Sequence, residues 1–242
     1  MTEPTTDPLN LRSLEGDAPS GLDADALFAG VAEQVAAEKG FAAWLRNRST
    51  MQRLGIAILS VTVIALLVLG LTGRVDWPKY PLPRMLGVLG GLGLLYLLMA
   101  KFALVPAYKP VPKRSVIVSL AALGLFLPFV QGLLPIAHEL HPMSLRGAAD
   151  DLVALAGACF VFGSVVAIPL LLIVALLDRD RQASGFRRLF TALCGGAAGI
   201  IALQLHCPIT QPLHLLWGHA PVAAGMVIIY SLVYVVRGFR HR

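Results

Sequence analysis

Six runs of about twenty apolar residues dominate this chain, at 54–72, 85–105, 115–134, 151–177, 189–205 and 216–236. About twenty residues of helix cross the roughly 30 Å hydrocarbon core of a bilayer. Lipid offers no water to satisfy backbone N–H and C=O groups, so such runs must form helices or a closed barrel. A barrel would need short segments of alternating hydrophobicity, and the sequence has none. The pattern predicts an all-α polytopic membrane protein with six transmembrane helices. Composition agrees: 57% of the 242 residues are hydrophobic and 14% are charged, where soluble domains carry about a quarter charged residues.

The charges are unevenly placed. Residues 1–44 hold eight acids and two bases, a net of −6, while the rest of the chain carries +12. Assigning the loops to alternate sides puts 13 Lys and Arg on one side, from Arg46, Arg48 and Arg53 to Arg237, Arg240 and Arg242. The other side receives four: Arg74, Lys79, Arg84 and Arg146. The positive-inside rule then places both termini in the cytoplasm. Trp44 and the arginines at 46, 48 and 53 suit the interface and its anionic headgroups. The basic balance is explained by topology, and direct nucleic-acid binding is not expected.

Residues 1–53 form a cytoplasmic tail. Residues 1–22 are rich in Pro, Thr, Asp, Gly and Ser and are expected to be disordered. Residues 24–39 read as one amphipathic helix, with Asp23 as N-cap, Lys39 in the last turn and Gly40 as the stop. Leu27, Phe28, Val31 and Val35 share one narrow arc of it. An isolated helix of this length is marginal in water. Its polar face is acidic, which disfavours anionic lipid and favours a basic protein surface. Leu27, Phe28, Val31 and Val35 are therefore the expected partner-binding residues. Residues 41–53 lead into the membrane, and 237–242 form a short cytoplasmic C-terminus. The apolar runs begin only near Leu54, so no signal peptide is expected.

Between the last two spans lies a Pro-interrupted stretch, 205–219, holding His206, Cys207, His214 and His219. The charge assignment puts it outside, together with His138 and His141 of the 135–150 loop. His, Cys and carboxylate are the usual ligands of Zn, Cu and Ni, and thiolate favours the softer ions. His206, Cys207, His214, His219, His138 and His141 are thus a candidate external metal-sensor cluster for Zn, Cu or a similar ion, with Glu139 a possible addition. The spacing matches no strict zinc motif. The bland alternative is a re-entrant turn of interfacial residues shaped by Pro208 and Pro212. Cys159 and Cys194, inside spans, are expected to act as small apolar side chains. The pairs Gly87/Gly91 and Gly195/Gly199 are expected to be helix-packing contacts.

Several classes are disfavoured. Pumps and ion-coupled carriers normally keep ionisable residues at midplane, and these spans hold almost none. Phosphate-loop, dinucleotide, nucleophile-elbow and H-E-x-x-H patterns are missing, so no enzyme activity is expected. Three cysteines make no disulfide framework.

The layout resembles the NrsF-type six-span membrane anti-sigma factors. The residues that carry the resemblance are Leu27-Phe28 with the following helix, Trp44-Leu45-Arg46, and above all His206-Cys207-Pro208 with His214-Leu215-Leu216-Trp217-Gly218-His219. The resemblance implies a bacterial inner-membrane protein that holds an extracytoplasmic-function sigma factor on its cytoplasmic side. It also implies release of that factor on an external metal or oxidative signal. The tail lacks the His-x₃-Cys-x₂-Cys pattern of soluble zinc-binding anti-sigma domains, so metal dependence is expected outside. The alternatives are a small transporter or permease component with an external His/Cys capture site, and a structural subunit of a membrane complex.

Overall fold

The computed structural model describes residues 29–30, 33, 40–74, 81–106, 109–133, 149–178, 184–209 and 214–239, without the side chains at 42, 46, 128–133, 149–153 and 235–239. Two compact units divide the chain, Met1–Trp44 and Leu45–Arg242. In the first, Ala29, Gly30 and Glu33 are helical. The proposed contacts Leu27, Phe28, Val31 and Val35 lie outside the described residues, as does the stretch 1–22. Gly40 has a φ of 117°, a left-handed backbone open to glycine at little cost. The end of the helix expected over 24–39 lies outside the described residues. A short helix, α1 (Phe41–Arg46), follows, and the rings of Phe41 and Trp44 stack at 5.9 Å.

The second unit is all helical among the described residues. It comprises α2 (Thr50–Thr72), α3 (Leu82–Ala103), α4 (Arg114–Leu133), α5 (Ala149–Leu177) and α6 (Gly185–His206). A one-turn π-helix (Leu215–His219) then runs straight into α7 (Ala220–Phe239). Five stretches are long and apolar enough to cross a membrane: Thr50–Thr72, Leu82–Ala103, Ala154–Leu177, Gly185–His206 and Leu215–Tyr234. The expected third span, 115–134, forms α4, but its described apolar stretch is the shorter Arg114–Leu127.

Helix α2 starts at Thr50, ahead of the apolar run at 54. Ser49 supplies the reason: its hydroxyl accepts from Gln52 N at 3.3 Å, and Gln52 Oε1 accepts from Ser49 N at 3.1 Å. This reciprocal capping box satisfies two amide donors that the first turn leaves over. The polar residues 50–53 thus belong to the helix.

Helix α6 is the centre of the bundle and packs against α2, α3, α4, α5 and α7. In its most apolar window 83% of residues are buried, against 11% in α2. Small residues make this possible. A Cβ on Gly196 would lie 2.6 Å from Ala223 Cα of α7, and one on Gly199 would lie 2.5 Å from Gly163 O of α5. A Cβ on Gly195 would lie 2.8 Å from Leu171 Cβ, so the Gly195/Gly199 pair is a close-packing contact. The Gly87/Gly91 pair is not: added Cβ atoms there meet nothing within 4 Å. Outward faces carry exposed Leu59, Leu66, Leu71, Val165 and Leu232, an arrangement suited to lipid.

Three buried arginines close helix ends. Arg53 donates to Leu177 O at 3.0 Å, Arg187 donates to Ala103 O at 3.2 Å, and Arg74 donates to Gln204 O at 3.4 Å. Each acceptor is among the last carbonyls of a helix, which lack intrahelical partners and carry the negative end of the helix dipole. Arg187 also pairs with Asp178. Arg53, expected among headgroups, is only 2% exposed. The acceptor at the end of α5 draws it into the bundle instead.

Candidate metal centre

Four side chains meet at the end of the bundle where α6 stops and the π turn begins. The ligand atoms of Cys159, Cys207, His214 and His219 all lie within 4.8 Å of one another. Cys159 Sγ is 3.5 Å from Cys207 Sγ, and Cys207 Sγ is 3.3 Å from His214 Nε2. The rings of His214 and His219 sit edge to face, with centroids 5.4 Å apart.

Each position has a local cause. Cys159 projects from α5, 18 residues before Leu177, or about 27 Å along the helix. Cys207 follows the last residue of α6 in extended conformation (φ −86°, ψ 120°), and its N–H donates to Leu203 O at 2.7 Å. The extended backbone turns its thiol back toward α5.

His214 and His219 bracket the π turn. In an α-helix a separation of five residues puts side chains about 140° apart. The π turn closes with Ala220 N donating to Leu215 O, and this wider ring brings residues five apart nearly into register. Gly218 lets the turn reach α5: an added Cβ would sit 3.1 Å from Ala156 O and 3.3 Å from Cys159 Cβ. Trp217 points the other way and is exposed, as suits an aromatic at a membrane interface.

The donor set fits a tetrahedral metal. Bonds of about 2.3 Å to sulfur and about 2.0–2.1 Å to nitrogen give tetrahedral edges of roughly 3.3–3.8 Å. The S–S distance of 3.5 Å and the S–N distance of 3.3 Å are each within about 0.3 Å of their tetrahedral edges, and the whole set lies within 4.8 Å. Two thiolates and two neutral imidazoles would also cancel the charge of a divalent ion, which matters where charge is costly to bury. His219 is 1% exposed, and its ring nitrogens make no well-formed hydrogen bond among the described residues, the Cys207 thiol lying within 4.8 Å. An orphaned buried nitrogen costs about 1–3 kcal/mol, and a bound ion would relieve it. The Cys207 thiol, between the spans, is pushed up from its ordinary value. Its hydrogen bond with Cys159 is the first cause and burial the second, against opposing pulls from His214 and His219. A metal entering here must displace thiol protons.

The candidate residues thus separate. Cys207, His214 and His219 come together. Cys159, expected only as a small apolar side chain, lies beside them with its Sγ 3.5 Å from Cys207 Sγ. Depth was the available signal for it, because about 27 Å from the Leu177 end of α5 is close to the full thickness of a bilayer core. Cys194 does remain in the apolar core. His206 turns away from the cluster: its Nδ1 lies 2.7 Å from Thr72 O, and its ring stacks on Phe162 at 4.2 Å. Adjacent to Cys207 at a helix end, it cannot aim at the same ion. His138, His141 and Glu139 lie outside the described residues.

Comparison of the chain with family models, with curated proteins and with solved structures finds no match.

Proposed function

We propose that this chain is a membrane-bound negative regulator, an anti-sigma factor, with a metal-responsive Cys/His centre as its input. In this reading six helices cross the bacterial inner membrane and both termini are cytoplasmic. The helix at 24–39 holds an extracytoplasmic-function sigma factor through Leu27, Phe28, Val31 and Val35. On the outer side, Cys159, Cys207, His214 and His219 take up a thiophilic ion such as Zn²⁺, or their thiols meet an oxidant. The occupied centre favours one packing of α5, α6 and α7, and the sigma factor is released.

The observation that carries the input is the convergence of four ligand atoms within 4.8 Å. The output rests on the acidic amphipathic tail and on the resemblance. A ligand shifts an equilibrium only if it binds two states differently. The ligands come from α5, from the end of α6 and from the turn into α7, so any change in their packing alters the cage. The set of four is also complete, as in closed structural sites, which favours sensing over passage of the ion.

Deleting residues 1–44 is expected to raise transcription from the target promoter constitutively, several-fold over wild type, with the membrane domain still inserted. External zinc or cadmium should raise the same reporter in wild type and not in Cys207→Ser. A tail deletion that inserts normally and leaves the transcriptome unchanged would overturn the regulator. Ligand-dependent uptake of metal into vesicles, lost in His214→Ala, would favour the transporter reading instead.

A further inference from the structure

The turn that carries Cys207 is held from outside its own helix. Beyond Leu205 the backbone leaves α6, and the one intrahelical tether of Cys207 is its N–H to Leu203 O. What fixes the turn is the end of α2. Arg74 N donates to Leu205 O at 3.0 Å. The Arg74 guanidinium donates to Gln204 O and to Pro208 O, each at 3.4 Å. His206 donates from Nδ1 to Thr72 O at 2.7 Å, since a carbonyl can only accept. The two guanidinium acceptors flank Cys207, one before it and one after.

We infer that Arg74 is a positioning residue of the centre, holding the Cys207 turn against the end of α2 so that its thiol stays within coordinating reach of Cys159, His214 and His219. The inference rests on the reading of these four side chains as a metal centre. A guanidinium suits the task because its planar fork spans two carbonyls at once, whereas an ammonium acts as a point donor. Its charge also meets the negative end of the α6 dipole. The end of α2 is shaped for the same contact. A Cβ on Gly73 would strike Leu69 O, so glycine lets the chain leave α2 in the direction that presents Arg74.

Arg53 provides the control. It too is buried and closes a helix end, at Leu177 O, but at the opposite end of α2 from the centre. If Arg74 were only a helix cap, the two substitutions would behave alike toward metal.

The test is a Co²⁺ titration of the full chain in detergent. Tetrahedral thiolate coordination by Co²⁺ gives strong ligand-field and charge-transfer bands, and Zn²⁺ competition gives affinity. Outer groups that orient ligands typically contribute about 10- to 100-fold in affinity. Arg74→Ala should weaken Co²⁺ binding by about that factor, and Arg74→Lys should recover part of it. Arg53→Ala should bind Co²⁺ within about twofold of wild type, because the side chain closes the opposite end of α2, at Leu177 O. Should Arg74→Ala fail to fold, Arg74→Lys carries the comparison. Equal affinity in the Arg74 variants and wild type overturns the inference while leaving the centre intact. So does an equal loss in Arg53→Ala. A wild-type protein without tetrahedral bands overturns the centre itself, and this inference with it.

Discussion

Cys159→Ser should lower Co²⁺ and Zn²⁺ affinity by about two to three orders of magnitude. Structural zinc sites with four ligands bind with about 10–16 kcal/mol, so one ligand contributes about 2.5–4 kcal/mol. At 1.4 kcal/mol per decade this is roughly 10²- to 10³-fold. His206→Ala should leave the tetrahedral bands unchanged, because His206 faces Thr72 and Phe162 and not the cluster. This pair separates a site built within the 205–219 stretch from one that borrows a thiol from α5. A Cys159→Ser protein that binds metal as tightly as wild type would remove Cys159 from the centre. Loss of the bands in His206→Ala would put His206 into it. The absorption spectrum and a zinc competition titration read both outcomes.

The second large effect concerns the glycines that let α6 sit in the middle. Gly199→Ala places a methyl 2.5 Å from Gly163 O and 2.9 Å from Val222 Cγ1, and Gly196→Ala places one 2.6 Å from Ala223 Cα. Two of these obstacles are backbone atoms, which cannot rotate away. Overpacking of this kind costs about 1–3 kcal/mol per site, and leucine at either position should prevent assembly. Forcing α6 away from α5 would also part Cys207 from Cys159, so stability and metal affinity should fall together. Gly87→Ala and Gly91→Ala meet open space and should be neutral, or gain up to about 1 kcal/mol of helix propensity. Thermal melting in mild detergent measures the contrast. Equal sensitivity at Gly87 would mean that another surface packs on α3.

The helical class, five of the six expected spans in outline and three of the four converging ligands were legible in the sequence. The apolar runs dictate helices because lipid satisfies no backbone groups. Cys207, His214 and His219 stood out because polar soft ligands are scarce beside such runs. The geometry of their meeting was not legible. Their spacing fits no α-helical face, and the π turn that aligns His214 with His219 leaves no periodic trace. Cys159 was hidden by its distance of 48 residues from Cys207 and by the usual behaviour of cysteines in apolar surroundings. The two glycine pairs look alike in sequence, and only the position of α6 at the centre tells them apart. Arg53 was misjudged because an arginine beside a span suits headgroups as well as a helix end.

The enclosure of α6 has a consequence for how the protein is made. A helix ringed by others needs no greasy surface, and α6, like Leu215–Tyr234 after it, is less apolar than α2, with a mean hydropathy of 1.6 and 1.5 against 2.8. Such a segment partitions weakly into lipid by itself, and its glycines offer smooth surfaces for neighbours already in place. During synthesis α2 to α5 emerge first, and α6 can settle among them. His214 and His219 arrive only with the turn into α7, after α2 to α6. The ligand cage therefore closes only once this turn has joined the helices before it, and a chain cut short of His214 holds no more than its thiols.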